Sequence, residues 1–289
     1  METHEALNTW GREFVEEACA PQAHIPGKPL TKDTVVIRVL LLVLTLTTLY
    51  ALSTIDCNGI DIGKALADTA VNLKIIFLHP GNSRLSFFKC LYEVVITVGL
   101  AFLTTLFGSV IALSLGLLGA RNLAPKTLTD VIKAFVAFIR AIPTILWVLI
   151  FAVAAGLGSA AAVIGMTFHS ISYLTKAYAE SFEDLDRGAI EALQACGAGW
   201  WQIVFQAVIP SSFSYLLSWT FLRFEINFAN AVAMGAAAGA AGIGFDLYMA
   251  GGYYFDLHEV GLITYFILAF ALLLEVVAVN MKRKLKSAR

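Results

Sequence analysis

Long blocks of apolar residues, with no alternation of apolar and polar faces, dominate the chain from Val35 onward. A helix on a soluble protein buries one stripe and wets the other. Helices that are apolar all round instead predict surroundings of lipid or of other helices. A hydrocarbon core of about 30 Å takes roughly 20 apolar residues as helix. Segments of that kind run over 35–52, 91–118, 131–155, 160–179, 211–233 and 260–281, which predicts an all-α, polytopic transmembrane bundle of about six spans. Between the first two, 61–78 has the pattern of an amphipathic helix at the outer surface. The first apolar block follows a charged, Glu-bearing segment and no small-residue cleavage site comes after it, so it does not read as a signal peptide.

Composition agrees: 58% of residues are hydrophobic and 14% charged, against about half and a quarter in soluble domains. A net charge of -1 gives no electrostatic footprint for nucleic acid. Cys19, Cys57, Cys90 and Cys196 are scattered, without a C-x-x-C pair or a histidine at metal spacing, and read as free thiols. There is no G-x4-G-K-[ST] phosphate loop, so ATP is not bound by that route, and no H-E-x-x-H or G-x-S-x-G set. The chain therefore reads as no enzyme, with no metal or cofactor of its own.

Orientation follows from Lys and Arg beside the spans. Lys282, Arg283, Lys284, Lys286 and Arg289 form a basic tail, and Arg121, Lys126 and Lys133 flank the connector after the second span. The connector between spans three and four is uncharged, and that between five and six carries Asp246, Asp256 and Glu259. Both termini are expected in the cytoplasm. The expected organisation is a cytoplasmic segment (1–34), an extra N-terminal span (35–52), an external loop (53–90), a main transmembrane domain (91–281) and the basic cytoplasmic tail (282–289). The external loop carries Lys64, Lys74, Arg84 and Lys89, which long loops tolerate.

The stretch 180–210 between spans four and five is far more polar than its neighbours, yet Ile190, Leu193, Val204, Phe205 and Val208 keep a helical stripe. It predicts a short helix, a turn allowed by Gly197, and a second segment leading into Pro210, which suits the first turn of the next helix. Glu191-Ala192-Leu193, Gly197 and Ile209-Pro210 resemble the E-A-A-x3-G-x9-I-x-L-P loop of permeases of binding-protein-dependent importers of the ATP-binding-cassette (ABC) type. Leu193, Ala207 and Ile209 depart mildly from it. The resemblance implies a coupling helix that docks on a separate ATPase, which would hold the ATP and Mg.

Other segments resemble the phosphonate-transport permeases of that group: Ala120-Arg121-Asn122-Leu123-Ala124-Pro125; Arg140-Ala141-Ile142-Pro143 with Trp147; Lys176-x3-Glu180-x2-Glu183; Arg223-Phe224-Glu225-Ile226-Asn227; and the glycines Gly235, Gly239, Gly242 and Gly244. Phe228-Ala229-Asn230-Ala231 stands where that family keeps an Arg and a Ser-Thr pair. The resemblance implies a type I ABC permease fold in a bacterial inner (plasma) membrane. It also implies two permease copies (a homodimer), cassette ATPase subunits, and an extracellular or periplasmic solute-binding protein, with a phosphonate, phosphite or phosphate as cargo. A permease for another small solute, such as an amino acid, stays open. So does an ion-gradient-driven secondary transporter, although no inverted repeat is visible.

Arg223, Glu225 and Asn227 lie inside an apolar segment, with Arg223 about 20 Å beyond Pro210 at 1.5 Å per residue. A charge at that depth costs on the order of 3 kcal/mol and must face protein or a watery path. Arg223 and Glu225, two apart, do not face each other, so partners are expected from Arg140, a second subunit or the cargo. Arg223 and Arg140 either bias a path towards anions or lock helices together. Gly235-x3-Gly239 and its alanines read as close helix packing or a gate. His169, Ser170 and Ser172 read as packing or path-lining residues.

Overall fold

The computed structural model describes residues 32–55, 59 and 61–287. Cys19, Cys57 and nearly all of the expected cytoplasmic segment over 1–34 lie outside the described residues. Cys90, buried, and Cys196, exposed, are free thiols. The chain divides into two units, Met1–Ile62 and Gly63–Arg289.

In the first unit, α1 (Lys32–Thr54) has no buried residue and is long and apolar enough to cross a membrane. The hydroxyls of Thr45, Thr47 and Thr48 donate to carbonyls one turn back at 2.8 Å. This satisfies them inside the helix, as lipid surroundings require.

The second unit runs α2 (Ile62–Leu78), α3 (Phe87–Gly119), α4 (Lys126–Ala141), α5 (Thr144–Ala155), α6 (Ser159–Glu183), α7 (Arg187–Ala195), α8 (Trp200–Ile203), α9 (Ile209–Ala238), α10 (Ile243–Tyr248) and α11 (Leu257–Ser287). Helix α2 answers the amphipathic pattern over 61–78. Its last carbonyls are satisfied from α11, with the Tyr265 hydroxyl on Phe77 O and the His258 ring on His79 O. The connector that follows is pinned by Glu259, 2% exposed, whose Oε1 accepts the backbone N–H groups of Arg84 (3.1 Å) and Leu85 (2.8 Å). The Arg84 guanidinium lies 3.7 Å from the Tyr254 ring centroid.

Helix α6 is the hub. It packs on α3, α4, α5 and α9 and is buried around most of its circumference. Its many Ala, Ser and Thr residues and Gly165 explain both its weak apolar signal and its central place, because small side chains let helix backbones approach. A Cβ on Gly165 would lie 2.5 Å from Val148 Cα, and one on Gly108 would lie 2.7 Å from Ser170 Cβ.

Among the described residues, five of the six expected spans are long and apolar enough when the bent pairs are each taken as one; the expected span over 160–179, in α6, does not reach that measure. Two others differ from expectation in their course. The single span over 131–155 is corrected to two helices, α4 and α5, whose axes meet at 85°. Proline disfavours a helical conformation in the residue before it and offers no N–H. Ile142 is accordingly extended (φ -96, ψ 121) and Pro143 starts a new helix. At the break the Trp147 indole donates to Ile139 O (3.1 Å), and its ring stacks on Phe151 and Phe168.

The fifth span is longer than 211–233. Trp200 to Ala238 runs on continuously, and the chain then bends by 53° into a short helix over Ile243–Tyr253. Pro210 stands in the first turn of α9, as the sequence predicts. It sits just past a π-helical turn (Val204–Val208) in which Ile209 N donates to Val204 O, five residues back. The wider turn fits a residue that can make no i to i-4 bond.

Candidate functional site

The polar stretch over 180–210 folds as a capped helix and turn. Asp186 caps α7 by accepting from Gly188 N at 3.0 Å. At the other end Ala198 N donates to Leu193 O (3.0 Å) and Gly197 N to Gln194 O (2.9 Å). This pair of bonds is a Schellman stop, which needs a left-handed residue at Gly197, and its φ is +78°. Ile190 of α7 is buried in a cluster with Phe182, Ile203, Val204, Val208 and Leu216. Glu191, Ala192, Gly197 and Pro210 are exposed and Ile209 is half-buried, so α7 has one anchored face and one free face.

The connector Ala120–Pro125 clamps this unit to the bundle. Asn122 Nδ2 donates to Phe182 O (2.7 Å), and the Trp200 indole donates to Leu123 O (2.8 Å). Glu183 Oε1 accepts from Arg121 N and Lys133 Nζ, each at 2.8 Å. The Ala-Arg-Asn-Leu run thus acts through its backbone and one amide. Trp200, Glu183 and Lys133 are structural partners of this connector that periodicity does not single out. The spacing Lys176-x3-Glu180-x2-Glu183 is the signal that marks the last turn of α6.

Partial burial by itself would raise the Glu183 pKa. The Lys133 hydrogen bond, the Arg121 N–H and the charges of both residues outweigh it and hold the carboxyl below its ordinary value. A carboxyl lowered in the fold adds stability above its unfolded pKa and loses that as pH falls through the folded pKa. Acidification from pH 6 to below about 4 is therefore expected to free the 120–125 connector in detergent-solubilised protein. Glu183→Gln should show raised protease cleavage there already at pH 6, with little further change on acidification. Identical cleavage profiles for the two proteins would refute this role for Glu183.

In the middle of the bundle, α3, α6 and α9 share a buried polar cluster. Ser170 Oγ donates to Met166 O (2.9 Å) and accepts from Arg223 Nε (3.1 Å) and Asn227 Nδ2 (3.0 Å). The Asn227 amide also donates to Thr105 Oγ1 (2.9 Å). Arg223 is 2% exposed, its guanidinium lies 5.1 Å from the Tyr173 ring centroid, and one terminal nitrogen has no hydrogen-bond partner. Arg223 and Asn227 are brought together through Ser170. Arg140 is not among their contacts; it sits exposed at the end of α4. Glu225 is half-buried. Arg223 is thus buried between α6 and α9, against Ser170 and Tyr173.

The glycines meet where α10 folds back on α9. A Cβ on Gly235 would lie 2.5 Å from Phe245 N, and one on Gly244 would collide with the Val232 carbonyl oxygen. Gly239 ends α9 in the left-handed region (φ +61°), and Gly242 lies against Thr97, whose hydroxyl accepts Ile243 N at 3.0 Å. Gly235, Gly242 and Gly244 thus make one close crossing of α9, α10 and α3, and Gly239 serves the turn that leads into it.

A bundle of apolar helices around a small-residue hub, carrying one clamped polar helix-turn unit at an end, is the architecture of a multi-pass membrane transport subunit. Residues 108–287 match the family described as "Binding-protein-dependent transport system inner membrane component", and the chain belongs to that family, the type I ABC permeases. It is 32% identical over 153 residues to the phosphate-import permease protein PhnE of Mycolicibacterium smegmatis (53% of this chain, 29% of that protein). Over 152 residues it is also 32% identical to the phosphite transport system permease protein PtxC of Stutzerimonas stutzeri (52% of this chain, 55% of that protein). The chain thus spans from under a third to about half the length of these relatives. In fold it is similar to the inward-facing MetNI methionine ABC transporter, with a TM-score of 0.60 and 22% identity over 67% of this chain and 93% of that one.

Proposed function

We propose that this chain forms the membrane path of a binding-protein-dependent importer of a small phosphorus oxyanion (phosphonate, phosphite or phosphate), with the 180–210 unit as its coupling element. The observation that carries this reading is the clamped geometry of α7. Its Ile190 face is fixed to the bundle while Glu191, Ala192 and Gly197 are offered outward, so a push on the free face moves α6 and α9 together. Rigid, hinged elements transmit motion in this way.

In this reading a cassette ATPase docks on that face in the cytoplasm and supplies ATP and Mg. A solute-binding protein docks at the opposite end of the bundle, and a second permease copy completes the passage. Both chain termini lie on the ATPase side. The oxyanion class is supported by the two permeases named above, and an amino-acid cargo remains the competing outcome.

The test is co-expression with the cassette ATPase and binding protein encoded nearby, followed by reconstitution into liposomes. ATP-dependent uptake of phosphite, methylphosphonate or phosphate, and not of methionine, is expected. Failure of any cassette ATPase to co-purify would sink the importer reading. Uptake of methionine alone would sink the oxyanion assignment.

A further inference from the structure

Between α4 and α6 lies a cavity of about 540 Å³ whose lining includes Gly119 and Arg140. Its walls combine apolar Ile132, Val136 and Ala179 with Lys133, Arg140 and Lys176. The acids that line it are already engaged. Glu183 holds Lys133 at 2.8 Å, and Glu180 lies 3.6 Å from Lys176. Arg140 makes no ion pair or side-chain hydrogen bond among the described residues, so its charge is the surplus in the cavity. Across from it on α6, Thr175 is 2% exposed and its hydroxyl has no partner. A buried hydroxyl without a partner costs on the order of 1–3 kcal/mol. Many helix threonines avoid that by bonding the carbonyl one turn back, as Thr167 does to Val163 O at 2.6 Å. Thr175 does not.

We infer that this cavity is a transient, hydrated subsite for a tetrahedral phosphorus oxyanion, with Arg140 as the charge partner, Thr175 as a hydroxyl donor and Lys176 as a second cation. The inference rests on the oxyanion reading above. A planar guanidinium can give two parallel N–H bonds to such an anion. Thr175 adds a third donor from the facing helix, and Lys176, in a loose and exposed pair worth little by itself, is free to turn towards the ligand.

The volume is several times that of a small oxyanion, which marks a staging point that holds the ion with its water, not a tight seat. Arg140 lies fourteen residues beyond Lys126, the first residue of α4, about 21 Å along the helix. The ligand inferred is the free ion, and the lipid comparison below distinguishes it from a lipid phosphate.

The experiment uses the assembled permease–ATPase complex in nanodiscs, without binding protein, titrated with phosphite and followed by the ³¹P line width. Broadening by the unmodified complex is expected. Arg140→Gln and Thr175→Val should each reduce it about tenfold or more, with ATPase still co-purifying, while Arg140→Lys retains part of it. Uptake in liposomes should fall in the same order.

Broadening and uptake unchanged in Arg140→Gln, in a complex that does take up oxyanion, would overturn the subsite and leave the oxyanion reading standing. A wild-type complex that takes up no oxyanion overturns both. Nanodiscs of phosphatidylcholine are compared with ones that include phosphatidylglycerol. If anionic lipid abolishes the broadening, the site belongs to a headgroup and the inference falls.

Discussion

Gly244→Ala is expected to unfold the α9–α10 crossing and to lower the thermal stability of the detergent-solubilised permease by about 3 kcal/mol or more, the range of severe overpacking. The added methyl group would meet the carbonyl oxygen, carbonyl carbon and Cα of Val232. All three are backbone atoms inside a helix, so no side chain can swing aside. Relief requires α10 to lift from α9, which pulls Ile243 N off the Thr97 hydroxyl and opens the cluster of Ile243, Phe228, Val94 and Ala101.

Gly235→Ala should behave alike, because its Cβ would press on Phe245 N and Gly244 from the other side. Gly99→Ala is the control. It lies within α3 with nothing inside 4 Å of the new methyl group, and alanine favours a helix over glycine by up to about 1 kcal/mol. If Gly244→Ala melts with the unmodified protein, the close crossing is not what these glycines serve.

Gly197→Val should lower stability by only about 1–2 kcal/mol and yet abolish energy-coupled uptake. No atom lies within 4 Å of its Cβ, so the substitution meets no steric barrier from the rest of the fold. Its cost is conformational: a left-handed residue with a side chain costs about 1–2 kcal/mol, and β-branching makes that worse. The turn escapes by leaving φ +78°, and both bonds of the Schellman stop are then lost. Helix α7 would keep Ile190 in the core but lose the fixed direction of Glu191 and Ala192. ATPase co-purification and ATP-dependent uptake are expected to fall together. Gly197→Asn, which tolerates the left-handed region, should keep a large part of both. Wild-type uptake by Gly197→Val would remove the basis for treating α7 as a lever.

Much of this was legible from residue order. The apolar blocks placed the helices, Gly197 placed the stop of α7, and the polarity of 180–210 marked the unit that differs from the rest. Arg223 and Asn227 were legible as polar residues inside an apolar segment, but the residue that joins them was not. That residue, Ser170, is a small residue of a kind common on any helix facing another, and nothing in its local pattern distinguishes it. The bend at Pro143 had a visible cause in the proline. Its angle of 85° did not, because a proline permits a break while packing of α5 on α6 sets the direction.

The hydrophobic blocks that define this chain are thus a property of the sequence alone: burial in lipid is decided residue by residue, by transfer energy over some 20 positions. Which of those helices faces lipid and which stands at the centre was decided by the fold. Helix α6, the least apolar of the six spans, is the hub because Gly108, Gly116 and Gly165 let backbones come within reach of it. The Arg140–Thr175 cavity and the Glu183 clamp are of the same kind. Their members lie far apart in the chain and come together only when helices pack, since the energies that select them are contacts between segments and not preferences within one.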